Sequence, residues 1–289
     1  MQVPDGVRPV VSFLAVTFSF TWAAWIAGPV LAGPETPAAT ALLFVGGFGP
    51  AVGAVVRLRL ERRSVRAWLR RLVRIRVAPR WYLLALGVPA AIAAAHTVAI
   101  VADGGTLAPS VLPGRLPTVA VAVLATALVG GGQEEFGWRG YLLPRLRSRF
   151  GPLAASVLLG VVWAGWHLPL YVVPGAYEWG NPFGLYVPVV VGLAVVFTWL
   201  FEGSGGVLPV VVLLHAGINN AALLVPVPRR TLAGTGGADV YAVQLAAVAT
   251  VVLLILAVRG PSLGIDDGGG SPHEGLDSTE STDSPAAGR

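Results

Sequence analysis

The chain has 289 residues, of which 55% are hydrophobic and 12% charged, about half the charged share of a soluble domain, roughly 25%. Apolar runs long enough to cross a bilayer as helices, ~18–20 residues, recur along it, which excludes a single water-soluble core. There are no cysteines, so disulfides, thiol catalysis and cysteine-bound metal are excluded, and the formal charge of +5 gives no nucleic-acid partner because its arginines gather in one connector.

In chain order the pattern predicts an all-α fold, a polytopic membrane helix bundle of about eight transmembrane helices. The spans cover residues 10–31, 39–57, 81–102, 118–139, 153–173, 184–201, 207–225 and 240–258. The first is read as a retained span. Its apolar part exceeds the roughly 7–15 residues of a signal-peptide core, and no small-residue cleavage site follows. Breaker-rich connectors such as "GPETP", "APSVLPGRLP" and "VPGAYEWGNP" separate the spans.

All 20 basic residues are arginine, and ten lie between Arg57 and Arg80 with one glutamate, Glu61. The positive-inside rule makes this connector cytoplasmic. Counting outward puts both termini in the cytoplasm of a multi-pass protein of the cell membrane. The same segment, "RLRLERRSVRAWLRRLVRIRV", interleaves apolar residues at near-helical spacing. It reads either as an amphipathic helix on an anionic lipid surface or as a topology determinant alone. Residues 1–259 form the membrane domain, with a motif-bearing core at 118–225. Residues 260–289, rich in Gly, Ser, Asp and Pro, are expected to be a disordered cytoplasmic tail.

An ionisable residue inside a bilayer costs at least ~2.5–3.5 kcal/mol, so it is a functional candidate by default. Within the spans these are His96, Glu134, Glu135, Arg139, His167, His215, Asn219 and Asn220, with Glu202 and Asp239 at span ends. Glu135 and Arg139 are four apart and share a helix face, while Glu134 points about 100° away. His215 and Asn219 are likewise four apart, an arrangement that also serves as helix-packing glue. His167 shares a face with Trp163. His96 lacks a polar companion at helical spacing and reads as structural. At ~1.5 Å per residue, Glu134, His215 and His167 lie roughly 15, 12 and 22 Å from their cytoplasmic helix ends, close enough in depth to line one cavity. The run Gly130–Gly132 lets a neighbouring helix approach or the helix loosen.

A carboxylate beside a histidine activates water as a general base, and a second histidine with an amide donates to an oxyanion. This suits amide or ester hydrolysis. No H-E-x-x-H helix, serine nucleophile elbow or intramembrane aspartate pair occurs. A glutamate-activated water remains, with or without a divalent metal such as zinc held by Glu and His, and the metal-free form is slightly favoured.

"EEFGWR" resembles the E-E-x-x-x-R motif of the CAAX prenyl endopeptidase and bacteriocin-processing family (CPBP, also called the abortive-infection family). "WAGWH" is similar to its F-x-x-x-H motif, with Trp163 in place of the usual Phe, and "HAGIN" to its H-x-x-x-N/B motif. The resemblance covers residues 118–225. It implies an intramembrane endopeptidase in which Glu134 and His167 activate water, His215 and Asn219 stabilise the oxyanion, and Glu135 and Arg139 support the site. The implied partners are a membrane-associated protein or peptide substrate and the lipid bilayer. Two other classes compete. A proteolytically silent scaffold or bacteriocin-immunity protein would not need the full residue set. A small transporter would show inverted repeats or broken helices in both halves, whereas the polar residues here crowd the second half.

Overall fold

The computed structural model describes residues 7–228 and 238–265, and every regular element among them is helical. The first helix, α1 (Val7–Ala27), continues through a π-helical turn to Ala32. The second expected span is broken into α2 (Pro37–Gly46) and α3 (Gly49–Leu60), bent by 43°. A break at membrane depth needs partners for its freed carbonyls. Here α1 supplies them: Thr21 Oγ1 donates to Gly46 O at 2.7 Å and Trp25 Nε1 to Leu43 O at 2.8 Å.

The Arg-rich connector forms α4 (Val65–Leu72), capped by the Ser64 hydroxyl. It is amphipathic, as its spacing predicts, but its apolar face is docked on protein. Trp68 and Leu72 are buried, and Trp68 Nε1 donates to Gly140 O at 3.0 Å. Beside it Glu61 is clamped. It accepts from Tyr141 Oη at 2.6 Å, Arg145 Nη2 at 2.8 Å and Arg57 Nη2 at 3.1 Å. This cluster ties α3 to the segment that carries the two adjacent glutamates.

Helices α5 (Pro79–Ala102) and α6 (Val111–Val129) follow. The expected helix over 118–139 stops at Val129. A 3-10 turn (Gly132–Glu134), α7 (Glu135–Gly137), a π-helical turn (Trp138–Leu142) and α8 (Leu143–Arg147) carry the chain on. The cause is Gly131, whose φ of 140° lies where side chains are strained.

The rest of the bundle is α9 (Pro152–Trp166), α10 (Leu168–Val172), α11 (Phe183–Gly203), α12 (Leu208–Asn219), a 3-10 turn (Ala221–Leu224) and α13 (Ala238–Arg259). The count of eight is not confirmed. Among the described residues five helices are long and apolar enough to cross a membrane, six if the bent pair is one span. The expected spans 153–173 and 207–225 are instead the shorter α9 and α12, with 15 and 12 residues. At ~1.5 Å per residue they reach roughly 22 and 18 Å, short of the ~30 Å hydrocarbon core. The chain is an integral multi-pass membrane protein. The tail expected to be disordered from 260 begins with a turn that buries Leu263; from 266 it lies outside the described residues.

Two ends of the bundle are distinct. The Arg-rich end gathers α4, the start of α5 and the end of α11, where Arg74 Nη2 donates to Gly205 O at 3.0 Å. At the far end Tyr241, near the start of α13, bonds Tyr171 at 2.9 Å and Glu178 at 3.1 Å.

Candidate active site

Both short helices end at a residue expected in the site. His167 is the C-terminal cap of α9, and Asn219 is the last residue of α12. Interrupted helices are tolerated at membrane depth where they line a cavity or are buried in protein. Here they do both. A cavity of about 120 Å³ is lined by Glu134, His167, His215 and Asn219, with walls from Trp163 and Phe197. It has room for more than one water. All four residues expected to be catalytic thus meet at one place.

Glu134 and Glu135 diverge, as their spacing requires. Glu135 faces the protein and is fully buried. Arg139 Nη1 lies 3.0 Å from its Oε1 and 2.8 Å from its Oε2, and His215 Nδ1 lies 2.7 Å from Oε1. A carboxylate only accepts, so His215 Nδ1 carries a proton and its Nε2 turns away from Glu135. The Arg139 guanidinium is packed between aromatic rings, 4.7 Å from the Trp163 centroid and 4.3 Å from that of Phe197. These contacts replace water around a buried cation.

Glu134 faces the cavity. Its Oε2 accepts from two indoles, Trp163 Nε1 at 2.9 Å and Trp138 Nε1 at 3.3 Å. That leaves Oε1 for the cavity. His167 Nδ1 lies 2.9 Å from Trp163 O. A carbonyl cannot donate, so Nδ1 carries the proton and neutral His167 presents its Nε2 lone pair. Asn219 Nδ2 gives one bond to Gly130 O at 3.1 Å.

The triple glycine brings α12 against this segment. A Cβ on Gly131 would sit 2.5 Å from His215 Nε2 and 2.9 Å from Asn219 Nδ2. Gly131→Ala therefore strains the backbone, at about 1–3 kcal/mol, and pushes away two site residues together. It is expected to cut cleavage below ~1% of wild type, since displacements of ~1 Å cost about 10²-fold. Rate and folded yield measured on one preparation check this, and a wild-type rate would contradict the close approach.

Sequence reasoning missed several participants. Trp138 and Trp163 act as donors through an indole N–H that hydrophobic patterning ignores. Gln133, between the triple glycine and the two glutamates, accepts from Gly131 N at 2.9 Å, and Gln244, on the cavity wall, is a lone amide in an apolar run, the signal that would have found it. His96 lies apart from the cavity that Glu134, His167 and His215 line. It borders a second, mainly apolar cavity of about 220 Å³ that shares Ile218, Asn219 and Gln244 with the first. Both cavities extend toward the far end of the bundle, to Tyr186 and Asp103, rather than toward the Arg-rich end.

The donor set does not form a metal centre as placed. Among the described residues no three His, Cys, Asp or Glu side chains converge at metal-ligand spacing.

Fold and site together describe a helical membrane protein that gathers two glutamates and two histidines inside its bundle. A profile described as Type II CAAX prenyl endopeptidase Rce1-like matches residues 116–221, which contain all three motifs. The chain is also 26% identical over 229 residues to CAAX prenyl protease 2 of Methanococcus maripaludis, covering 73% of this chain and 83% of that protein. The resemblance to the CPBP family thus holds over residues 116–221, and with the relative it supports a CAAX-type endopeptidase.

Proposed function

We propose that this endopeptidase cuts a peptide bond in a membrane-associated protein or peptide with a water activated jointly by Glu134 and His167. The observation that carries this is the pair of indole bonds on Glu134 Oε2, which reserve Oε1 for a cavity that His167 also lines. A water there donates one hydrogen to Oε1 and the other to His167 Nε2, aiming its lone pair at the scissile carbonyl carbon. As the oxygen attacks, Glu134 takes the proton. It returns that proton to the leaving nitrogen as the C–N bond breaks.

His215 and Asn219 serve the oxyanion. Two carboxylates, Glu134 and Glu135, face one guanidinium, Arg139. His215, anchored through Nδ1 on Glu135, turns its Nε2 away from that carboxylate, and a proton carried there would be donated to the oxyanion. Asn219 adds its second amide hydrogen. Glu135 and Arg139 orient His215, and no step needs a metal. The second cavity takes an apolar portion of the substrate. Comparing protein termini in membrane fractions of cells carrying wild type or Glu134→Gln tests this reading. Termini that appear only with wild type are expected, and identical sets would contradict it.

Residues 1–259 act as the catalytic unit in the cell membrane, with both termini cytoplasmic. The supporting observation is that α13 ends, at Arg259, on the side of the Arg-rich connector. The cavity mouth then faces the opposite side of the membrane. The chain has no cysteine, so single cysteines report sidedness directly. An impermeant maleimide on intact cells is expected to label Thr106→Cys and Gln244→Cys, and to reach Arg66→Cys only after the membrane is opened. Labelling of Arg66→Cys in intact cells would reverse the orientation.

A further inference from the structure

Trp163 replaces the phenylalanine usual in the motif that this stretch resembles. As a space-filling aromatic the exchange would be neutral. The structure gives the indole a task that a phenyl ring cannot perform. Its Nε1 donates to Glu134 Oε2 at 2.9 Å, the shorter of the two bonds that oxygen accepts. Its carbonyl accepts from His167 Nδ1 at 2.9 Å. Its ring meets the Arg139 guanidinium at 4.7 Å and the His215 ring edge-on at 5.5 Å. One residue, 4% exposed, therefore touches Glu134, His167, Arg139 and His215.

We propose that Trp163 is a positioning residue for the hydrolysis, its indole N–H fixing Glu134 Oε2 so that Oε1 alone meets the reacting water. This rests on Glu134 being the base. An indole nitrogen donates and never accepts, so it matches a carboxylate and cannot compete for the water's protons. Trp138 alone, at 3.3 Å, makes a longer bond and follows Glu134 in the same local segment. Trp163 stands on a facing helix that is itself pinned by Phe197, 5.6 Å away in an edge contact. It therefore locks the carboxylate relative to His167, one turn along the same helix, which a donor on Glu134's own segment cannot do.

The test separates the donor from the ring. Trp163→Phe removes both the N–H and part of the volume. Replacing Trp163 by 3-benzothienylalanine keeps the shape and removes only the N–H. A hydrogen bond to a charged group contributes about 1.5–3 kcal/mol, so both substitutions are expected to lower kcat by roughly 10–150-fold. KM should stay within about twofold, because the bond lies on the enzyme side of the water. The assay uses a fluorogenic peptide spanning a cut found in the membrane comparison above. A substrate-free readout accompanies it: the Trp163 indole ¹⁵N–¹H resonance, identified by its loss in Trp163→Phe, is expected to shift in Glu134→Gln. A benzothienyl variant with wild-type kcat, or an indole resonance unmoved by Glu134→Gln, overturns the proposal. Cleavage retained in Glu134→Gln itself would instead remove the base assignment, so the two failures are distinguishable.

Discussion

Glu134→Gln is expected to reduce cleavage by about 10⁴-fold, the upper range for a positioned general base, while thermal stability stays near wild type. Both halves follow from the same geometry. The two indole donors on Oε2 require an acceptor, so the glutamine amide turns its oxygen to them and packing survives. Its NH₂ then takes the place of Oε1. A group that accepted from the water now donates to it, and the water's lone pair is occupied when it should attack. The local polarity is reversed rather than merely weakened. His167→Ala should lose activity to a similar degree, because both groups hold one water. Adding it to Glu134→Gln should cost little more, since residues that act as a unit are not additive. Kinetics on the two single variants and the double, beside their melting temperatures, checks this. A Glu134→Gln enzyme that cleaves at a comparable rate would remove the glutamate-activated water.

The polar cluster was legible in the sequence because the bilayer makes polar residues conspicuous. Glu134, Glu135, Arg139, His167, His215 and Asn219 stand out against apolar runs, and the four-residue spacing of Glu135 and Arg139 reads directly as the observed pair at 2.8 Å. The ends of the helices were less legible. An apolar stretch continues past His167 and past Asn219, so composition extends α9 and α12 to full spans, although both stop at the site. Gly130–Gly132 signalled loosening but not its form, because the φ of 140° at Gly131 and the close approach of α12 there emerge only in the packed chain. Glu61 was hidden for the opposite reason. One carboxylate among ten arginines looks like part of a solvated face. Only packing shows it enclosed by Tyr141, Arg145 and Arg57, holding the segment that begins at Glu134.

Arg139→Ala is expected to lower folded yield and activity together, and the reason lies in what it leaves behind. Arg139 and Glu135 are both fully buried, and Arg139 is the cation closest to Glu135 apart from His215. Removing one partner of a buried pair typically costs about 3–5 kcal/mol, because the remaining charge is uncompensated. The alanine also empties the space between Trp163 and Phe197 that the guanidinium fills, loosening the helix face that carries His167. The charge part of this cost is removable. Glu135→Gln combined with Arg139→Ala leaves no unpaired carboxylate, so the double variant should recover much of the lost yield. It should not recover activity, because a glutamine at 135 still accepts from His215 Nδ1 but is no longer fixed by the Arg139 guanidinium, so His215 loses its orientation. Yield and melting temperature should therefore rise from the single to the double variant while cleavage stays near background. If instead Arg139→Ala is stable and well expressed yet inactive, Arg139 acts on the substrate itself, and its place is in the catalytic cavity rather than behind Glu135.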